Sequence, residues 1–205
     1  MSEQVALTDP VNHSVGGVKG HIFRRSFHLS MSLIPFVYFE YGEKISELVN
    51  LEVAQVVSGL TILLILAEMI RLKLGFTIFG QRDYEAKQVS ALAWGGIAIG
   101  LTFIALPDNP EYVWPLILSL SLGDPFLGEL RRKDLNSKNV AIIGSIFVGI
   151  IWLMCWNFFD TPIILALIMA PICVASEWPR LTWIDDNATM LLIPLFTILL
   201  TIPWL

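Results

Sequence analysis

Apolar residues run along this chain in long blocks, separated by short polar segments in which nearly all the charge collects. Seven apolar segments can be marked, at 24–42, 51–70, 89–107, 112–130, 139–159, 161–176 and 188–205. Neither a period of two nor a soluble helical stripe organises them, and blocks of this kind predict membrane-spanning helices. The second is the cleanest, with Val53 to Ala67 broken only by Gln55, Ser58, Gly59 and Thr61. The third carries Gly95, Gly96 and Gly100, small residues that predict close packing against another helix. The first and fourth are the least apolar. The first holds His28, Ser30, Ser32, Pro35 and Glu40, and the fourth is expected to be interrupted at Gly123-Asp124-Pro125. Residues 1–20 are polar and glycine-containing and read as a flexible lead, and 21–205 as a single membrane domain.

Composition agrees. The 205 residues are 55% hydrophobic and 15% charged, with mean hydropathy +0.69, against about 25% charged in soluble domains. The expected fold class is all-α and polytopic, with about seven transmembrane helices. Charge orients it. With the N-terminus cytoplasmic, 12 of the 13 lysines and arginines fall on the cytoplasmic side, all but Lys44, which is the positive-inside signature. Arg180 is among the 12. The net charge of −5 then divides into a slightly basic cytoplasmic face and an acidic outer one. Trp152, Trp156, Trp178, Trp183 and Trp204 lie near span ends, where headgroup-level placement is expected. No basic face stands outside the membrane context, so nucleic acid is excluded as a partner. Cys155 and Cys173 lie within spans, which argues against a disulfide framework or thiolate metal site.

The ionisable residues of the cytoplasmic side carry the chemistry. Arg24 and Arg25 share a helical face with His28 at spacings of four and three. Guanidiniums clamp phosphate oxygens and an imidazole hydrogen-bonds or moves a proton; the plainer reading of the arginines is topology alone. Glu68 and Arg71, then Arg82 and Glu85, repeat a spacing of three, which surface ion pairs also produce. Asp124, between Gly123 and Pro125, suits a Mg²⁺ ligand, since that ion takes few protein carboxylates; helix capping is its alternative. Asp185-Asp186-Asn187 offers either a second ligand set or an N-cap for the last span. No P-loop, His-Glu-x-x-His or Gly-x-Ser-x-Gly pattern is present.

In this order the clusters resemble the CTP-dependent membrane lipid kinases: dolichol kinase, phytol kinase and the fungal CTP-dependent diacylglycerol kinase, a group related to phosphatidate cytidylyltransferase. The matching residues are Arg24-Arg25-x-x-His28, Glu68-x-x-Arg71, Arg82-x-x-Glu85, Leu122-Gly123-Asp124 and Asp185-Asp186-Asn187 followed by Ile193-Pro194. The chain departs from the family after Asp124, where one glycine and the basic run Arg131-Arg132-Lys133 remain, and after Lys138, where the family's glutamate is missing. The resemblance implies a kinase that moves phosphate from CTP to a membrane lipid alcohol at the cytoplasmic face, with Mg²⁺. It implies catalytic roles for Asp124, His28 and Asp186, and phosphate contacts from Arg24, Arg25, Arg71, Arg82 and Lys138. It implies metal ligation by Asp124, Asp185 and Glu85. Cytidylyl transfer to a lipid phosphate, and a non-catalytic divergent member, are the alternatives.

Overall fold

The computed structural model describes residues 14–133, 135–179, 181 and 183–204. The first 13 residues of the expected lead, and Arg180, lie outside the described residues. The regular structure of the described residues is helical, apart from one isolated antiparallel bridge between Ser14 and Arg82. Its helices are α1 (Gly17–Ser30), α2 (Ile34–Leu48), α3 (Val53–Leu74), α4 (Ala91–Ala105), α5 (Pro110–Leu118), α6 (Asp124–Arg132), α7 (Ser137–Phe159), α8 (Ile163–Ala175) and α9 (Asp186–Thr201).

Three of them, Val53–Leu74, Ser137–Phe159 and α9 with its terminal turn to Trp204, are long and apolar enough to cross a membrane. Three such helices mark a membrane protein. α4 and α8, at 15 and 13 residues, are apolar but shorter. In α3 only 11% of the most apolar window is buried inside the protein, and Leu60, Leu63, Met69 and Ile70 are all exposed. An apolar helix left bare on nearly every side needs lipid around it, because such surface costs about 25 cal/mol per Å² in water.

α5 is the axis of the bundle. Val113, Leu116, Ile117 and Leu120 are fully buried, with α2, α7 and α9 packed around them. The expected interruption at Gly123-Asp124-Pro125 is absent. The chain winds from α5 through a π-turn, Ser119–Gly123, straight into α6. Asp124 has ordinary helical angles (φ −58°, ψ −51°). Pro125 brings no N–H to the ladder and sits in the first turn of α6. A single wide turn of this kind absorbs the irregularity without breaking the helix.

Gly96 and Gly100 do form a packing surface. A Cβ on Gly100 would stand 2.2 Å from Thr61 Oγ1, and one on Gly96 2.5 Å from Leu64 Cδ2, so the two glycines let α4 press against α3. Trp152 departs from its expected headgroup placement. It is fully buried, and its indole N–H donates to Ser119 Oγ at 2.9 Å. Ser119 belongs to the π-turn, so this tryptophan braces the segment that leads to Asp124. Trp156, Trp178, Trp183 and Trp204 are exposed.

Candidate active site

At the end of the α5–α6 run, four segments deliver charge to one cavity of about 110 Å³. α1 contributes His21, Arg24, Arg25 and His28. The segment before the Asp83–Lys87 turn contributes Arg82. α6 contributes Asp124 and Arg131, and the stretch from Glu177 to Asp186 contributes those two acids. One carboxylate oxygen from each of Asp124, Glu177 and Asp186 lies within 4.8 Å of the others. Three hard oxygen donors at that spacing, from three separate helix ends, suit a divalent cation such as Mg²⁺.

Glu177 is the residue that sequence reasoning missed. It is buried, Arg131 Nη1 donates to its Oε1 at 2.6 Å, and its Oε2 has no hydrogen-bond partner among the described residues. Arg131 in turn stacks over Trp178, 5.0 Å from the ring centroid. Burial, and then the neighbouring Asp124 charge, push the Glu177 carboxyl up to about 9 against the opposing pull of Arg131. A buried oxygen without a partner beside two further carboxylates could serve as a ligand to a cation. The available signal was an acid directly after the sixth apolar segment, on the same side as Asp124.

Asp185-Asp186-Asn187 divides its labour. Asp185 Oδ1 accepts from Asn187 N–H at 3.2 Å, so Asp185 caps α9 and stands outside the carboxylate trio. Asp186 joins the trio. Asn187 is buried; its Nδ2 donates to Ala91 O at 3.1 Å, and its Oδ1 meets His28 Nε2 at 3.1 Å. His28 Nε2 is also 3.6 Å from Asp124 Oδ2. One turn of α1 is thereby fixed against both the α6 and α9 ends of the site.

Three other assignments change. Glu85 is not beside the trio: its Oε1 accepts from Arg24 Nη1 at 2.7 Å and from Arg82 N–H at 3.3 Å. It aims Arg24 instead of holding metal. Arg71 is buried and fully engaged within the chain, with two bonds to Glu68 at 2.7 and 2.8 Å and one each to Phe76 O and Gln88 O at 2.8 Å. Glu68 Oε1 also accepts from Ser90 N–H at 2.6 Å. This pair is an internal tie between α3 and the loop that carries Arg82, neither a phosphate contact nor a surface ion pair. Lys138 is exposed at the start of α7 and does not line the cavity. Arg25 pairs with Glu129 at the cavity's outer edge.

The cavity therefore combines four arginines with three carboxylates. A bound divalent cation would raise the positive excess further, which gives the cavity the charge to hold an anionic group. Comparison of the chain with protein-family models, curated proteins and solved structures finds no match to any of them.

Proposed function

We propose that this protein is a membrane phosphotransferase that moves the terminal phosphate of a nucleoside triphosphate onto a lipid alcohol. The observation that carries the reading is the trio Asp124, Glu177 and Asp186 facing four arginines in one cavity. Phosphoryl transfer asks the protein for positioning and charge stabilisation more than for covalent chemistry. CTP as donor comes from the resemblance of the motifs to the CTP-dependent lipid kinases.

Mg²⁺ held by the trio would neutralise the phosphates and orient the terminal one. Arg24, Arg82 and Arg131 bind the phosphate oxygens, with Arg24 aimed by Glu85 and Arg131 by Glu177. His28, held by Asn187, lines the same cavity and orients the acceptor oxygen. That oxygen forms a new bond to the terminal phosphorus, the bond from phosphorus to the bridging oxygen breaks, and the nucleoside diphosphate leaves. The hydroxyl proton passes to His28, whose ring lines the cavity.

The membrane reading has seven crossings: the α1–α2 run, α3, α4, the α5–α6 run, α7, α8 and α9. The N-terminus is cytoplasmic, and the cavity opens to that side. Support comes from the charge split along the sequence and from the fact that every cavity residue belongs to the basic side. The test is product analysis with purified protein in lipid vesicles, a long-chain alcohol, CTP and Mg²⁺. A lipid heavier by one phosphate, lost on adding a chelator, is expected. A lipid carrying a cytidine nucleotide, or no product with any alcohol or nucleotide, contradicts the reading.

A further inference from the structure

A second cavity, of about 50 Å³, adjoins the first across Arg24 and His28, which line both. Its character is different. Phe23, Phe27, Ile78 and Phe79 form its mouth and are between 41% and 51% exposed. The Phe23 and Phe79 rings meet edge to face, with centroids 5.6 Å apart. Gly80, at φ +87°, lets the loop pass close beneath them, for a Cβ there would come within 3.1 Å of both Phe23 and the Gly20 carbonyl. The mouth therefore faces outward as apolar surface, and the residues behind it include Arg24, His28, Gln81 and Glu85.

This polar lining is incompletely bonded. His28 Nδ1, Gln81 Nε2 and Glu85 Oε2 are buried and have no hydrogen-bond partner among the described residues, and all three residues line this cavity. Buried polar atoms are normally satisfied, and each exception calls for a ligand or other partner. The roles of two of them follow from their neighbours. Asn187 gives its amide hydrogens to Ala91 O, so its Oδ1 accepts, and His28 Nε2 must donate to it. In the neutral ring Nδ1 is then the acceptor. Gln81 Oε1 already accepts from Ile78 N–H at 2.9 Å, which leaves its amide nitrogen as a donor. An acceptor and a donor among the residues that line one apolar-mouthed cavity match one hydroxyl group, which gives one hydrogen bond and takes another.

We propose that this cavity seats the acceptor: the hydroxyl end of a slender, single-chain lipid alcohol, with its O–H donating to His28 Nδ1 and its oxygen accepting from Gln81 Nε2. The assignment rests on the phosphotransferase reading, since it places that hydroxyl on the wall shared with the phosphate cavity. The chain leaves between Phe23, Phe27 and Phe79 toward the lipid. Size selects the alcohol. A cavity of this volume holds about four water-sized groups, at roughly 10–15 Å³ each. That is enough for the last few carbons of a primary alcohol, and too little for a glycerol bearing two ester linkages.

The test is photocrosslinking without nucleotide, so that it does not depend on turnover. Full-length protein in vesicles is exposed to a long-chain primary alcohol carrying a diazirine near its hydroxyl. Crosslinks are expected at Phe23, Phe27, Phe79 or Leu92, displaced by unlabelled single-chain alcohol and not by a diacylglycerol. Gln81→Glu keeps an oxygen for Ile78 N–H but removes the donor, and about tenfold weaker labelling is expected. Phe27→Trp, at an exposed position that narrows the mouth, reduces labelling independently. Crosslinks spread over the outer faces of α3 and α7, displacement by diacylglycerol, or unchanged labelling in both variants would overturn the acceptor seat. If the expected crosslinks appear but CTP yields no phosphorylated lipid, the seat stands and the phosphotransferase reading falls.

Discussion

Asp124 and Glu177 divide the work of the carboxylate trio. Asp124 is half-buried and sits on the rigid α5–α6 run, 3.6 Å from His28 Nε2. Replacing it with Asn keeps the shape and removes a charge. The expected outcome is a loss of transfer of at least about a hundredfold, with the protein still folded in the membrane, read by product formation beside size-exclusion behaviour. Glu177 sets the pH dependence. Burial and the neighbouring Asp124 charge raise its carboxyl to about 9, so the folded state holds a proton that the unfolded chain releases near pH 4.5. That group's contribution to stability is complete below about pH 4.5 and lost as pH rises toward 9. A cation must displace the same proton, so Mn²⁺ affinity should climb across this window, and Glu177→Gln should flatten the climb. Titration of Mn²⁺ binding against pH, followed by magnetic resonance, checks both. His28 and Asp124 could be picked from the sequence because each is an ionisable residue in an apolar block. Glu177 could not be ranked above its neighbours, because its value comes from burial and from residues 53 and 9 positions away. Arg71 was misjudged for the reverse reason: its motif is distinctive, but its bonds to Glu68, Phe76 and Gln88 leave it inside the structure.

At the scale of elements, the α3–α4 contact depends on missing side chains. Thr61 Oγ1 occupies the space that a side chain on Gly100 would take. Gly100→Leu should force the helices apart and destabilise the protein by about 1–3 kcal/mol. Removing the opposing hydroxyl and methyl in Thr61→Ala should recover part of the loss, as measured by thermal unfolding in detergent. The small-residue pattern made this packing readable in advance. The π-turn was not readable. Gly123 and Pro125 signalled irregular backbone and read as a break, where the chain instead widens by one turn. Tertiary contacts decided it, since Leu120 and the Trp152–Ser119 bond hold the turn in the centre of the bundle. Trp152→Phe removes that bond and shrinks a fully buried ring. Lower thermal stability is expected, together with a loss of transfer larger than that of an equally destabilised Gly100→Leu protein if the turn positions Asp124.

Across the whole molecule, the long apolar blocks conveyed the membrane class before any contact was known. Helix count was harder to read, because α4 and α8 are short and two runs change helix type midway. Pairings across four segments, such as Arg24 with Glu85 and Arg131 with Glu177, depend on folding and leave no mark on local spacing. Topology has its own test. Cysteines placed at the exposed positions Lys19 and Asp160 should label from opposite sides of sealed vesicles, and labelling of both from one side contradicts the seven-crossing arrangement. The central claim is that this cavity transfers a terminal phosphate to lipid, and separately α- and γ-labelled CTP test it most directly. The protein in vesicles with a single-chain alcohol should pass γ-label, and no α-label, into the organic phase, and Asp124→Asn should pass neither. Appearance of α-label in the lipid, or equal γ-transfer by the Asp124→Asn protein, would contradict the account.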